Sequence, residues 1–599
     1  MNSELRSRDL VRDIRNHLER LALRVAPTEP QRLLALTLMI GVVCGIVAVA
    51  FHEVIRLAES AFERVTQRTP SSPWIVWMLA LPTGGGLLAG ALLTRFFPQA
   101  RGSGIPQVKV AYTGSPARLR LRDAVAKFFL VTLQIGTGAS LGREGPTVQI
   151  CSSVATGLGR LARLSPRAQR QLIPVGAAAG IAAAFNAPIA AVTFTVEEIV
   201  GKLDNTLLSG VIIAAALAAV IERSILGAHP VFDVPARHSM DDARSLLLYA
   251  LLGLSAGVLS IAFTDLLLGL RKRFKNMKRV PEWMRPGIGG LVTGVIAVAA
   301  LLLAQRTGVT GGGYATLRSA LAGDETVKVM LILCACKVLA TAFSYSSGGV
   351  GGVFAPVLFI GAMLGGAFGS LDNTLFGHSG SAVSAFALVG MGAMFSGAIR
   401  APMTSVLIII EMTSGYELIL PLMIANMSSY LVARRFRPPT IYEALLEQDG
   451  NLLPEKHFSD ALDQFVLKDL VDSSDSFVMF PERACTGELV SALRGASNQS
   501  VFPVLDDEGR VVGILTTDDL HMLAAEPSAQ PKSATDLMRA AVTVRATDSL
   551  KRALERMRRA GLRELPVVDE HTHVIGFIDE GALADLYLST APSSSSSLD

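Results

Sequence analysis

The feature that most constrains the fold is a long apolar region, which runs from about residue 33 to residue 432. Only 18% of all residues are charged, whereas a soluble domain carries about 25%. A helix needs about 20 apolar residues to cross a bilayer. The candidate crossings are Leu33–Phe51, Trp74–Thr94, Gln171–Val196, Ser245–Thr264 and the longer stretch Val338–Ile399. The pattern therefore predicts a polytopic membrane protein.

The apolar region also contains short segments that glycine and proline interrupt. Val338–Ile399 is dense in glycine, with Asp372 as its one acidic residue and neither lysine nor arginine. Met403–Ile410 is too short to cross a bilayer alone. Such segments, at matching places in two halves, indicate broken helices that line a site. Irregular backbone at membrane depth is tolerated only where protein or a water-filled cavity covers it.

Basic residues cluster before the first crossing, within 271–279 and within 434–437. The positive-inside rule places all three clusters in the cytoplasm. The first 32 residues hold seven arginines and no apolar core, so they are not a signal peptide. We expect a multi-pass protein of the cell inner membrane, surrounded by lipid, with both termini cytoplasmic.

Several function classes are disfavoured. The net charge of +4 is too small to indicate a nucleic-acid partner. The five cysteines show no disulfide or zinc spacing. The membrane region offers no acidic ligand cluster and no nucleophile–base pair, which disfavours an enzyme or a divalent-cation channel. We expect no enzyme activity, no metal and no required cofactor.

The apolar region contains an internal repeat. Pro188 and Pro402 are 214 residues apart, and so are the acidic residues that follow them, Glu197 and Glu411. The proline in 142–146 and the one that ends 351–356 are 210 residues apart. The alternative is chance matching in a chain rich in alanine, glycine and proline. A duplicated half with a site at the midplane is a common transporter plan.

Three motifs place glycine ahead of proline: Gly-Ser-Gly-Ile-Pro at 102–106, Gly-Arg-Glu-Gly-Pro at 142–146 and Gly-Gly-Val-Phe-Ala-Pro at 351–356. Glycine lets the backbone approach a ligand closely, and proline suits the first turn of a helix. Each motif therefore predicts a helix N-terminus with free N–H donors, and several such ends can hold an anion. The hydroxyls of Ser103 and Tyr442 can complete its shell.

Three carboxylates stand out at the same depth. Glu144 lies within the second motif, and a carboxylate inside a membrane indicates function by default. It can exchange protons while it competes with the anion; a purely structural helix cap is the alternative. Glu197 and Glu198 point about 100° apart on a helix, so one is expected to be structural and the other to face an aqueous route. A pair of interfacial carboxylates is the alternative.

Together, these motifs resemble those of the chloride channel/transporter (CLC) family, and the similarity extends over about residues 33–446. The resemblance implies a homodimer with an anion pathway in each subunit and about eighteen helices, many broken or tilted. It also implies that Glu144 is the gating glutamate. The implied anion-binding residues are Ser103, Gly104, Tyr442 and the backbone N–H groups of Val353 and Phe354, with those of Arg143 and Gly145 at an outer site.

The family contains both passive channels and proton-coupled exchangers. In exchangers similar to this chain, the second acidic residue after the Phe-Asn-Ala-Pro segment is glutamate, and here it is Glu198. The resemblance thus implies that Glu198 transfers protons internally and that the substrates are chloride and protons. A passive voltage- or pH-gated chloride channel on the same fold is the alternative. Ser103 favours chloride, because nitrate-selective relatives resemble Gly-Pro-Gly-Ile-Pro at this motif.

From about Lys468 the composition becomes that of a soluble domain. Two units there share the order helix, hydrophobic strand pair, helix, and they resemble tandem CBS domains, which often bind adenine nucleotides such as ATP. Thr516 and Asp519 match the ribose motif of that family. In the second unit Asp579 and Ala582 stand in their places. A dimer-stabilising module without a ligand is the alternative.

The predicted fold class is an all-α polytopic membrane protein with an internal inverted repeat, followed by an α/β tandem CBS module. The predicted domains are a cytosolic basic helix at 1–32, a transport domain at 33–446 with repeats at about 33–265 and 286–446, a linker at 447–467, CBS units at 468–527 and 533–588, and a disordered tail at 589–599.

Overall fold

The computed structural model divides into two compact units, Met1–Asn451 and Leu452–Asp599. The division falls inside the predicted linker at 447–467. The structure describes residues 29–67, 73–162, 164–201, 205–227, 231–232, 244–377, 381–413, 415–451, 467–469, 471, 477–492, 499–525, 533–579 and 581. Nearly all of the predicted basic helix at 1–32, most of the linker and the tail at 589–599 lie outside these residues.

The described residues of the first unit form seventeen α-helices, which are labelled here in chain order. They are α1 Glu29–Thr66, α2 Trp74–Arg95, α3 Ile105–Thr113, α4 Leu121–Gly136, α5 Glu144–Leu161, α6 Pro166–Phe185, α7 Pro188–Phe194, α8 Asn205–Leu226, α9 Ser245–Lys275, α10 Arg285–Ala304, α11 Tyr314–Leu321, α12 Val327–Ser346, α13 Phe354–Phe376, α14 Ser381–Ile399, α15 Pro402–Thr413, α16 Ile419–Phe436 and α17 Ile441–Gln448.

The lengths and surfaces of these helices are those of a membrane domain. Within the described residues, eight helical stretches are long and apolar enough to cross a bilayer. Leu247 and Leu303, on two of the long helices, are 68% and 65% exposed. In water such surfaces would be costly, whereas lipid tails cover them without penalty. The chain is therefore a multi-pass membrane protein, as predicted.

One predicted crossing is wrong as a single helix. The stretch Gln171–Val196 divides into α6 and α7, because Asn186 has a left-handed φ of 52° and Pro188 starts a new helix. Left-handed asparagine is a common helix end. After α7, residues Thr195–Val200 widen into a π-helical turn. The helix is thus interrupted, and the chain changes direction, within a stretch that is uniformly apolar in sequence.

The repeat appears in the structure as an exchange of helix caps. Glu411 of the second half accepts the N–H groups of Ile189 and Ala190, at the start of α7, at 3.1 and 2.7 Å. Its counterpart Glu197 accepts those of Met403 and Thr404, at the start of α15, at 3.2 and 2.9 Å. Each half therefore satisfies a helix N-terminus of the other.

The second unit contains four α-helices and seven strands among its described residues. The helices are α18 Thr486–Ala492, α19 Thr517–Ala525, α20 Ala534–Leu537 and α21 Leu550–Ala560. The strands are β1 Phe480–Pro481, β2 Val501–Leu505, β3 Val511–Thr516, β4 Arg539–Ala540, β5 Val544–Arg545, β6 Glu564–Val568 and β7 Val574–Asp579.

These strands form two sheets of related topology, with orders β1-β2-β3-β4 and β5-β6-β7. In each sheet a short parallel strand joins an antiparallel hairpin, β2–β3 or β6–β7. The hairpins carry the same register shift, between Val504 and Leu505 and between Val567 and Val568. The sheets have separate apolar cores, which include Phe502 in one sheet and Leu565 in the other.

The exchanged caps lead to a stability prediction. Glu197→Ala removes the acceptor for two N–H groups and for the Thr404 hydroxyl, which donates at 2.7 Å. Thr404 is 0% exposed, and leaving a buried donor unpaired costs about 1–3 kcal/mol. We expect a lower thermal unfolding midpoint in detergent, followed by intrinsic fluorescence. The exposed carboxylate Glu417 provides the control, and Glu417→Ala should unfold like the wild type. Equal midpoints for both variants would contradict the capping role.

Candidate anion-binding site

All three glycine–proline motifs lead into a helix start, as predicted. α3 follows Gly104, α5 begins at Glu144 and α13 begins at Phe354. The loops before α5 and α13 are joined, because Gly142 and Gly352 each donate an N–H to the carbonyl of the other, at 2.7 and 2.6 Å. Corresponding motifs of the two halves therefore meet at one place.

Gly145 is the point where the first and second motifs touch. A Cβ at position 145 would lie 2.6 Å from the carbonyl oxygen of Ser103, and one at Gly104 would lie 2.5 Å from that of Gly145. Gly104 also has a φ of 105°, which residues with side chains rarely adopt. Glycine at both positions lets the Ser103 turn lie directly against the start of α5.

Two hydroxyl groups in this region are buried without a partner. Ser103 and Tyr442 are both 0% exposed, and among the described residues neither hydroxyl oxygen has a partner with hydrogen-bond geometry, although Tyr345 lies near Ser103. α17, which carries Tyr442, packs against α3. The Tyr442 hydroxyl also interacts electrostatically with the carboxyl groups of Glu198 and Glu144. An unpaired buried hydroxyl costs about 1–3 kcal/mol, so both groups point to a polar ligand.

The carboxyl group of Glu144 is held by two separate elements. Glu144 is 1% exposed. Its Oε1 accepts a hydrogen bond from the hydroxyl of Tyr314 at 2.6 Å, and its Oε2 accepts one from the N–H of Ala355 at 3.3 Å. Ala355 lies in the first turn of α13. The carboxylate therefore occupies the positive end of that helix, where an anion is favoured.

Backbone donors surround the same place. First-turn N–H groups have no acceptor within their own helix. The predicted donors with this position are those of Val353, Phe354, Arg143 and Gly145. Gly104 differs, because its N–H donates to Oε1 of Gln107 at 3.0 Å in a capping box. Gln107 thus accepts the donor that was assigned to an anion, and the anion-binding role of Gly104 stays a prediction.

Glu198 has a partner that the sequence analysis missed. It is 5% exposed, and its Oε1 accepts a hydrogen bond from Nζ of Lys109 at 2.8 Å. Lys109 is the only charged residue of α3, the helix that begins beside Ser103. The π-helical turn with Glu198 packs against α3. α3 therefore connects the Ser103 turn to the ion pair between Lys109 and Glu198. The sequence signal for this pair was Lys109 itself, the one charged residue of α3.

Tyr314 and Lys337 were also missed, and no motif marks them. Lys337 is buried, and its Nζ donates to the carbonyls of Gly308, Val309 and Gly311, at 3.1, 3.1 and 2.7 Å. It thereby fixes the loop before Tyr314. For Tyr314, the only sequence signal was the glycine run directly before it.

In the second unit, Thr516 and Asp519 meet where β3 leads into α19. Oδ2 of Asp519 accepts the N–H and the hydroxyl of Thr516 at 2.9 and 2.7 Å, and Oδ1 accepts from Arg539 at 2.6 Å. Partial burial raises the pKa of Asp519, but the hydrogen bonds from Arg539 and Thr516 outweigh it, so the pKa lies below its ordinary value. The carboxylate is thus ionised and engaged within the unit.

Family models match both units. Residues 85–434 match the model described as voltage gated chloride channel, and residues 487–525 and 534–589 match CBS domain. The first match covers more than half of the chain. The chain therefore belongs to the voltage-gated chloride channel family, whose members are transport proteins rather than enzymes, and it carries two CBS domains.

Known proteins agree with this assignment. The chain is 32% identical over 425 residues to the H(+)/Cl(-) exchange transporter ClcA of Yersinia pseudotuberculosis serotype IB (strain PB1/+), covering 70% of this chain and 87% of that protein. It resembles the structure of a slow cyanobacterial Cl-/H+ antiporter with a TM-score of 0.62 at 28% identity, covering 70% and 97%. A eukaryotic CLC transporter shares the fold alone, at 19% identity and a TM-score of 0.62, over 92% and 97%.

The close contact at Gly145 leads to a prediction. Gly145→Ala places a methyl group against the Ser103 carbonyl, so the turn must move, and overpacking of this kind costs about 1–3 kcal/mol. We expect chloride efflux from liposomes to fall by about tenfold or more. Gly84→Ala is the control, since a Cβ there meets open space. Efflux equal to that of the control would show that the contact is not needed.

Proposed function

We propose that this chain exchanges chloride for protons across the cell inner membrane. The observation that carries the proposal is the buried Glu144 carboxylate, which lies at the N-terminus of α13 where loops from both halves meet. A negative side chain thus occupies the place that suits an anion. The relatives named as exchange transporter and antiporter support the coupling to protons.

Chloride binds between the two unpartnered hydroxyls, Ser103 and Tyr442, and the N–H groups of Val353 and Phe354 at the start of α13. The N–H groups of Arg143 and Gly145 serve the outer position. These donors carry partial charges, so each binds weakly, and weak successive sites let an ion leave as well as enter. A lysine at the same place would hold the anion too strongly in a low-dielectric site.

Glu144 and chloride compete for the same donors. The ionised carboxylate takes the N–H of Ala355 and closes the path. A protonated carboxyl has lost its charge, and the helix end then favours chloride instead. Each exchange of the carboxylate for chloride is therefore linked to the uptake of a proton, which gives antiport a physical basis.

Glu198 supplies the internal end of the proton route. It is buried, and its Oε1 lies 2.8 Å from Nζ of Lys109. The cap of α15 is supplied by its neighbour Glu197 instead. The ammonium group stabilises the ionised carboxylate at a depth where an isolated charge would be costly. Tyr442 interacts electrostatically with both Glu198 and Glu144, and in this proposal the proton and anion routes separate near this tyrosine.

The assembly that we propose is a homodimer in the bilayer, with one such path in each subunit and both termini in the cytoplasm. The positive-inside rule supports this orientation. The basic residues concerned are Lys272, Arg273 and Lys275 in the last turn of α9, and Arg434 and Arg435 in the last turn of α16.

The two CBS domains act as a regulatory module in this proposal, and their ligand is ATP or another adenine nucleotide. Thr516 and Asp519 lie together at the end of β3, as the ribose motif requires. Asp519 holds Arg539 through Oδ1, so a ribose hydroxyl would exchange with this guanidinium. The exposed position of Arg539, at 56% of its side chain, permits that exchange.

Glu198→Gln tests the coupling directly. The amide keeps the shape of the side chain but cannot carry a proton, so chloride flux should persist while proton transport is lost. The measurement is a liposome assay that records chloride and pH together under a chloride gradient, in which the wild type should move protons uphill. Glu447→Gln, at an exposed site on α17, should behave like the wild type.

Glu144→Ala in the same assay should lose both proton movement and the pH dependence of chloride flux, because the competing carboxylate is gone. Retained proton pumping in this variant would remove Glu144 from its role. If the wild type passes chloride but never moves protons uphill, the passive channel on the same fold is the correct function.

Calorimetric titration of the full chain with ATP tests the CBS module. We expect binding by the wild type and at least about tenfold weaker binding by Asp519→Ala, because a hydrogen bond to a charged group contributes about 1.5–3 kcal/mol. Asp507→Ala, at a highly exposed carboxylate, is the control. No heat from the wild type would favour the dimer-stabilising alternative without a ligand.

A further inference from the structure

Tyr314 has a ring that is fixed from two sides. It is the first residue of α11, after Gly313 with a φ of 77°. The Arg143 guanidinium lies over the ring, 5.3 Å from its centroid, and Phe232 stacks at 6.2 Å with an interplanar angle of 27°. A cation over a tyrosine face is attracted to the ring. The hydroxyl therefore has a defined direction, toward Glu144.

The loop before Tyr314 is itself held in place. Lys337 binds three of its carbonyls, and the N–H of Gly312 donates to Oε1 of Glu59 at 3.3 Å. On its other side, Tyr314 lines a cavity of about 770 Å³ together with Glu59, Arg56 and Arg306. The exposed side chains of Arg56 and Arg306 connect this cavity to the surface. Tyr314 thus lies between an accessible cavity and the buried carboxyl group.

We propose that Tyr314 is a positioning residue, whose hydroxyl holds the ionised Glu144 carboxylate in the anion path and so sets the pH at which the path opens. This inference rests on the proposed function of Glu144. The contact is short, at 2.6 Å from Tyr314 Oη to Glu144 Oε1, as expected for a hydroxyl that donates to a carboxylate. The Ala355 N–H at 3.3 Å is the longer of the two bonds.

Other charged and titratable groups face the same carboxyl. Arg143 precedes it on its own turn, and Lys337 on α12 and Tyr442 on α17 interact with it electrostatically. From α1, His52 contacts Thr147 at 3.4 Å, in the turn that follows Glu144. Glu59, also on α1, faces Tyr314. Among the described residues, only Tyr314 gives this carboxyl a side-chain hydrogen bond.

The hydroxyl acts by favouring the ionised, path-blocking state. A donor stabilises a carboxylate more than it stabilises a protonated carboxyl. Tyr314→Phe removes one oxygen atom and keeps the ring that Arg143 and Phe232 contact. The variant should therefore open at lower proton concentration than the wild type. A hydrogen bond to a charged group corresponds to about one pH unit or more.

The test is chloride efflux from liposomes as a function of pH. We expect the midpoint of the flux–pH profile to move upward by about one unit in Tyr314→Phe. Tyr249→Phe is the matched control, because that tyrosine is buried, stacks on Phe386 at 3.9 Å and lies outside the site. A Tyr314→Phe profile that coincides with this control would overturn the proposal.

Two further measurements isolate the contact. In a Glu144→Gln background, Tyr314→Phe should leave the profile unchanged, and a shift that persists there would place the hydroxyl's effect elsewhere. Site-specific 3-fluorotyrosine at position 314, a stronger donor, should move the midpoint downward; this variant also serves if Tyr314→Phe does not fold. A downward shift supports the proposal, and none contradicts it. Proton transport, recorded in parallel, tests the exchanger function separately: its absence with these shifts present would reject antiport alone.

Discussion

Backbone donors at helix ends within a bilayer cannot be left to water, and the whole membrane unit depends on how they are satisfied. Two such ends, at α7 and α15, are closed by carboxylates that the halves of the repeat exchange, Glu411 and Glu197. Two others, at α5 and α13, are brought together by the Gly142–Gly352 bridge. The closed ends build the scaffold, and the convergent ends leave donors for a ligand.

The positively charged side chains of the membrane unit also have specific partners. Three lysines of the membrane unit each donate to a partner within the protein. Lys127 donates to Gln149 at 2.5 Å, Lys337 to loop carbonyls, and Lys109 to Glu198. The anion is thus left with amide and hydroxyl dipoles, which are weak enough for an ion to pass. Full charges serve to fix loops and to accompany the internal carboxylate.

Three glutamates of the membrane unit therefore have three different kinds of hydrogen-bond partner. Glu197 caps a helix, Glu198 pairs with a lysine, and Glu144 accepts one hydroxyl and one N–H. Glu198 has a charged partner and Glu197 accepts three hydrogen bonds from the start of α15, whereas among the described residues Glu144 accepts two, both from neutral donors. That difference makes Glu144 the group whose position can change with protonation, while the other two stay fixed.

The sequence by itself determined the membrane class, the repeat, the three helix starts and the two CBS domains, because hydrophobicity and glycine–proline spacing act locally. It also singled out Glu144, Ser103 and Tyr442 as candidates. Only the tertiary structure decided the partners: Tyr314 reaches Glu144 across 170 residues and Lys109 reaches Glu198 across 89. Which donor meets a carboxylate depends on how distant helices pack, and no local pattern encodes that.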